Sequence, residues 1–332
     1  MTDITIKDIA RIAGVSVSTV SKALNDSTAV KPSTKLKIKQ LSEQRGYRPN
    51  IAAKSLVSQR SRTIGAVWPN VNRAILSTLA TKINEELNAR GYSMLLSINP
   101  IESAVQLFNQ IQVDAVLVFD RNDTAGLVSH LPSKAPILCY GEPSSRGFPS
   151  IYVDRRKAIY EAVQYLSNLG HKRIAYIGDL SNRRFSQQEK YLGFMDGIIG
   201  FGLPTHPNMA VNSNGLDSHE GYEAAMQLWE SPYKPTAIIG GTYDLSLGIT
   251  RALQWQNIKL PQDISLVSYD NIGQMSSLPV PMTSVGAPID AIAAKVVESI
   301  LVLIEKQEQL PAIQTIEPAL VERNSCLPLT AE

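Results

Sequence analysis

The chain has 332 residues, 44% of them hydrophobic and 19% charged, with a formal net charge of +2. That is an ordinary globular profile with material for two or three domains, and it excludes collagen-like, low-complexity and disordered classes. No run of about 18 apolar residues occurs, which excludes a membrane-spanning helix, and the polar start at Met1 to Lys7 has no apolar signal core, so a cytoplasmic location is expected.

Charge is unevenly distributed along the chain. Residues 1–62 hold twelve Lys and Arg against four acids, a surplus of eight, while the remainder carries a deficit of six. A short basic head on a mildly acidic body suggests a nucleic-acid-binding module attached to something else, with a solvated basic helix as the alternative. Within the head, Ile6, Ile9, Ala10 and Ala13 recur at helical spacing, so a helix is predicted over 5–13. Thr5 and Asp8 have capping-box spacing, and Gly14 stops the helix. A second helix, over 17–24, places Val20, Ala23 and Leu24 on one face and Ser18, Thr19, Ser21 and Lys22 on the other. A third starts at Pro32 and runs through Leu36, Ile38 and Leu41 to Arg45 and Gly46. Two short helices about a glycine turn form a helix-turn-helix. Small hydroxyl residues and a lysine suit phosphates and base edges better than a protein contact, which favours DNA binding over a helical cap on an enzyme.

From residue 63 the chain alternates strands and helices. Strands are expected at 63–68, 93–98, 115–119, 136–139, 173–177, 237–240 and 265–269, and helices at 74–89, 158–169, 187–199, 219–228 and 245–256. Such alternation implies α/β lobes with parallel sheets, two of them at this length, and ligand between them at the carboxyl ends of the strands. The four histidines are far apart, Cys139 and Cys326 read as reduced thiols, and neither a nucleophile motif nor a glycine-rich phosphate loop is present. Neither catalysis nor a cofactor or metal is expected.

The run ITIKDIARIAGVSVSTVSKALN at 4–25 resembles the N-terminal signature of the LacI/GalR family of transcription regulators, and GYRPNIAAKSL at 46–56 resembles that family's hinge segment. RIAYIG at 173–178, preceded by Leu169-Gly170-His171, and PQDISLVSYDN at 261–271 look like motifs of its second lobe. The resemblance implies a helix-turn-helix headpiece over 1–46, a hinge over 47–61, and a periplasmic-binding-protein-like effector and dimerisation domain over 62–332. Its first lobe would span about 62–156 and 286–317, its second about 157–285 and 318–327, with a crossing helix over 288–304 and a return at 319–324. Val17, Ser18 and Lys22 are then the base readers in the major groove, while Thr5, Ser16, Thr19, Ser21 and Asn25 hold phosphates. Leu56 matches the wedge leucine inserted into the minor groove, with Ala53 beside it.

For the effector, the resemblance implies Asn72, Arg73, Ile75, Arg184, Lys190, Leu216, Tyr243, Asp244 and Asp270, with Asp270 as acceptor for sugar hydroxyls. Three of these depart from the family pattern: Lys190 replaces arginine, Tyr243 precedes Asp244 where asparagine is common, and Arg73 replaces a frequent asparagine. A lysine offers a point charge in place of a planar fork. With Arg73 and Arg184 it favours an anionic or phosphorylated sugar-like effector, a neutral sugar being the other reading. The segment 99–112 is several residues shorter than the family's usual length. The expected protein is thus a homodimeric repressor of a carbohydrate-utilisation operon on a pseudo-palindromic operator. A global catabolite regulator controlled by a phosphorylated protein, and a sugar-binding transport protein, are the alternatives. The crossing helix offers the phosphorylated partner Asp290, Lys295 and Glu298, a poor phosphate site.

Overall fold

A computed structural model describes residues 4–47, 60–119, 133–141, 147–181, 185–305 and 310–329. The chain divides into two compact units, Met1–Ser61 and Arg62–Glu332.

Among its described residues the first unit has three helices, α1 (Ile6–Ala13), α2 (Val17–Leu24) and α3 (Pro32–Gln44). The chain leaves α1 through Gly14, whose φ of 71° permits its N–H to reach the Ala10 and Arg11 carbonyls, a reversal that suits a residue without a Cβ. Ile9, Ala10, Ala13, Val20, Ala23, Val30 and Ile38 form the core, with Leu24, Leu41 and Tyr47 packed against it. Leu36, read with the apolar run of the third helix, is instead 60% exposed. Two residues separate it from Ile38, about 200° of helical rotation, so both cannot face one core.

The second unit holds two six-stranded sheets. In the first, β1 (Thr63–Val67), β2 (Ser93–Ser97), β3 (Ala115–Phe119), β4 (Ile137–Tyr140), β5 (Ser150–Val153) and β11 (Ile313–Ile316) run parallel in the order β11-β5-β4-β3-β1-β2. Helices α4 (Ala74–Ala89) and α10 (Ile289–Glu305) pack together, and α5 (Ile101–Ile111) lies on β1 and β3 with its own apolar cluster. In the second sheet, β6 (Ile174–Gly178), β7 (Ala210–Asn212), β8 (Ala237–Gly240), β9 (Ser265–Asn271), β10 (Thr283–Pro288) and β12 (Ala319–Val321) take the order β12-β10-β9-β8-β6-β7. Only the β10–β12 pair among these is antiparallel. The pairs α6 (Arg155–Asn168) with α7 (Phe185–Gly200) and α8 (Ser218–Glu230) with α9 (Tyr243–Trp255) cover this sheet. At the α8–α9 crossing, a Cβ on Gly248 would stand 2.0 Å from the Ser218 carbonyl oxygen, and one on Gly221 would stand 2.3 Å from that of Leu245.

The chain passes between the sheets three times: from β5 to α6, from β10 to α10, and from β11 to β12. The middle passage falls after Pro288, because β10 continues two residues beyond Gly286. Sequence periodicity missed α5 and the strands β5, β7, β10 and β11, each of six residues or fewer. A strand of three to six residues gives at most three alternations, and in β10 these are interrupted by Gly286 and Pro288. The segment 99–112 is mostly helix, with Ile101, Ala104, Val105 and Phe108 facing inward.

Candidate functional site

In the head, the hydroxyls split between capping and exposure. Ser16 Oγ accepts the Thr19 N–H at 3.1 Å and lies 2.8 Å from Thr19 Oγ1, so this pair organises the start of α2. Thr5 donates both its backbone N–H (3.1 Å) and its hydroxyl (2.7 Å) to the Asp8 carboxylate. The Asn25 side-chain amide donates to the Ser21 carbonyl at 2.9 Å. Val17, Ser18, Lys22 and Asn25 are exposed, and Val20 and Ala23 on the opposite face are buried. Helix α2 is thus anchored by one face and open on the other, as a helix that enters a groove requires. Ala53 and Leu56 lie outside the described residues, as does most of the expected hinge.

In the body, candidate residues gather where the two sheets' carboxyl ends approach each other. Order reverses there at β1, flanked by β2 and β3, and at β6, flanked by β7 and β8, the crevice position at which open α/β sheets take ligands. Lys190 on α7 is 3% exposed. Its ammonium donates to the Gly241 carbonyl at 2.7 Å and lies 3.6 Å from the centre of the Tyr269 ring. Burial pushes this lysine well below its usual range, and Arg155 and Arg73 add to the depression while Asp270 opposes it. Asp270, 7% exposed with φ 86°, accepts the Tyr243 N–H at 3.0 Å on its Oδ2, which places a carboxylate at the start of α9. Arg73, ahead of α4, meets Asp244 of α9 at 3.3 Å across the cleft, both side chains being 15% exposed. Burial raises the Asp244 carboxyl despite Arg73.

Leu216 is buried on the loop before α8, and its carbonyl accepts from Thr242 Oγ1 at 3.3 Å. Ile75 is half-buried on α4, whereas Asn72 is exposed with its N–H turned to Asn70 Oδ1. Lys190, Tyr243, Asp244, Asp270 and Arg73 are therefore brought together, and Asn72 stands apart from the buried charges. Arg184 lies outside the described residues.

Residues absent from the sequence reading complete the cleft. Trp68, Phe119 and Tyr140, at the ends of β1, β3 and β4, form an aromatic row with ring centres 4.9 and 5.1 Å apart. The indole N–H of Trp68 is buried with no acceptor among the described residues. Arg155, 8% exposed at the first passage between sheets, donates to the Gly141 carbonyl at 2.7 Å and to that of Val153 at 3.3 Å. Burial pushes Tyr140 up to about 12, with Arg155 opposing and Asp270 reinforcing the shift. The legible signal was position, since an aromatic residue closes or directly follows each apolar strand run; Arg155 was hidden because β5 itself went unread. A cavity of about 680 Å³ opens elsewhere on the second lobe among Leu247, Leu253, Ile258, Leu278 and Met282, and no carboxylate lines it. The buried charges make the cleft the better candidate for a polar ligand.

Residues 5–50 match the family described as bacterial regulatory proteins, lacI family, and residues 163–326 match the periplasmic binding protein-like domain. The chain is 31% identical over 300 residues to catabolite control protein A of Priestia megaterium, covering 88% of this chain and 90% of that protein. It is 28% identical to the probable HTH-type transcriptional repressor ExuR of Bacillus subtilis, covering 92% and 93%. In fold it is similar to the lac repressor dimer bound to operator and the anti-inducer ONPF, with a TM-score of 0.83 at 23% identity over 98% of this chain and all of the other. With a basic helix-turn-helix head, two parallel-sheet lobes and identity above 30% across most of its length, the chain belongs to the lacI family of bacterial regulatory proteins.

Proposed function

We propose that the protein acts in the cytoplasm as a homodimeric repressor whose affinity for a pseudo-palindromic operator changes when a sugar or sugar phosphate binds between the lobes. The observation that carries this reading is the cluster of Lys190, Asp270, Arg73 and Asp244 at the carboxyl ends of both sheets, beside the Trp68–Phe119–Tyr140 row. Charged donors and acceptors there suit hydroxyl and phosphate groups, and the aromatic faces suit a sugar ring. In the head, Val17, Ser18 and Lys22 would read bases, and Thr5, Ser16, Thr19, Ser21 and Asn25 would hold phosphates. In the hinge, Leu56 would be the minor-groove wedge, with Ala53 beside it. Asn72, Ile75, Arg184, Leu216 and Tyr243 would complete the effector contacts. The ligand can act only through a difference in affinity for two lobe arrangements.

Two measurements test the proposal. Randomised duplex DNA is selected on the full chain at two salt concentrations and sequenced; a pseudo-palindrome bound more weakly at high salt is expected, and no enrichment at either salt would overturn the operator reading. Calorimetry with matched neutral and phosphorylated sugars then tests the ligand class, and a preference for neutral sugars overturns the anionic preference. The identity with a catabolite control protein favours a second reading, control by a phosphorylated protein. On the crossing helix α10, however, Lys295 is already paired with Glu298 at 3.1 Å, and Asp290 with Lys82 of α4 at 3.3 Å.

A further inference from the structure

Helix α4 begins without a cap of its own. Arg73, at its N-cap position, makes no side-chain cap hydrogen bond, so the exposed N–H groups of the first turn of this 16-residue helix need an acceptor from elsewhere. The opposite lobe brings a carboxylate to this end. The Asp244 carboxylate receives the Nε–H of Arg73 at 3.3 Å, so a charge of the second lobe stands beside the open N-terminus of α4. Asp244 also stands in the first turn of α9, so one carboxylate faces the positive ends of two helices from two lobes. A turn further along α4, Gln274 of the second lobe donates to Thr78 Oγ1 at 3.0 Å. Because the lobes are separate sheets joined by three chain passages, contacts of this kind set how far they close.

We propose that Asp244 is an interlobe clasp: a second-lobe carboxylate that pairs with Arg73 at the open N-terminus of α4 and, with the Gln274–Thr78 bond, holds the lobes together in the protein itself. Closure is then partly a property of the chain, and a ligand adds to an existing clasp. This requires no particular effector and stands on the cleft geometry alone.

Hydrogen exchange on the full-length, ligand-free protein tests it, comparing wild type with Asp244→Ala and Arg73→Met. The clasp predicts faster exchange in two places, rising about fivefold or more at Ala74–Leu76, the scale of a lost charge interaction at a helix N-terminus. The second place is the turn Gly273–Ser277, which Asp244 does not touch but whose Gln274 reaches the first lobe. Strand β8 serves as the unchanged reference. A rise at Ala74–Leu76 alone would mean a local effect at the helix end without a clasp and would overturn the proposal, as would no rise at either place. If Asp244→Ala loosens the whole chain, Arg73→Met, which leaves α9 intact, is decisive, and it has to raise both segments.

Discussion

Asp270→Asn removes one charge from the cleft with little change of shape. Asparagine tolerates the left-handed backbone required by a φ of 86° at this position, and its Oδ1 can still accept the Tyr243 N–H. What it loses is the anion that favours the buried Lys190 ammonium. Two unit charges 4 Å apart interact by about 4 kcal/mol at an effective dielectric of about 20. That is an upper limit here, because the ammonium hydrogen-bonds to the Gly241 carbonyl at 2.7 Å and not to Asp270. The Gly241 bond and the Tyr269 ring contact survive in the variant, so neither enters the difference. Lys190, already depressed by burial, also has the option of shedding its proton, which limits the cost further. A loss of about 1–3 kcal/mol in unfolding free energy is expected at neutral pH. Urea unfolding of wild type, Asp270→Asn, Lys190→Met and the double variant measures it, with the double variant costing less than the two singles together. A loss below about 0.5 kcal/mol together with additive single effects would refute the electrostatic reasoning, since residues that do not interact show no coupling.

The same lysine makes stability depend on pH. Its folded value lies below the unfolded 10.5, so its contribution is fully present above 10.5 and is lost as pH falls through the folded value; the unfolding free energy of wild type, minus that of Lys190→Met, should rise with pH within that window, and a flat difference would contradict the assignment. Gly248→Ala places a methyl 2.0 Å from the Ser218 carbonyl oxygen, so α8 and α9 must separate; a loss of about 1–3 kcal/mol or more is expected in thermal unfolding. Arg155→Met should cost about 2–4 kcal/mol, since it strips a charged donor from two buried carbonyls, Gly141 and Val153, at the passage between the sheets. Lys22→Ala, on the exposed face of α2, should weaken operator binding and reduce the salt slope by about one; an unchanged slope would remove Lys22 from the interface.

How much of this was legible beforehand differed between the parts. The head was readable almost to the residue, because three short helices around one core leave little freedom. Ile9, Ala10 and Ala13 must face Val20 and Ala23, and Gly14 must turn between them. Leu36 is the exception: grouping it with Ile38 and Leu41 as one apolar run misreads it, because its spacing from Ile38 turns it to the opposite face. In the body, the alternation of strands and helices followed from hydrophobic runs, since strands buried on both faces are apolar throughout, as in β4, β6 and β8. The edge strand β11 and the short β7 obey no such rule.

Sequence by itself determined the family, the helix-turn-helix and the two-lobe alternation, because local periodicity and contiguous motifs encode them. The tertiary structure alone decided how the cleft residues named by the resemblance are paired and buried. Arg73 and Asp244 are 171 positions apart and meet only because β1 and β8 end on opposite sides of one crevice. Lys190 becomes a buried cation only when α7 lays it on the ring of Tyr269 and under the Gly241 carbonyl. Charge, burial and distance are properties of the packed chain, and no local pattern of residues specifies them.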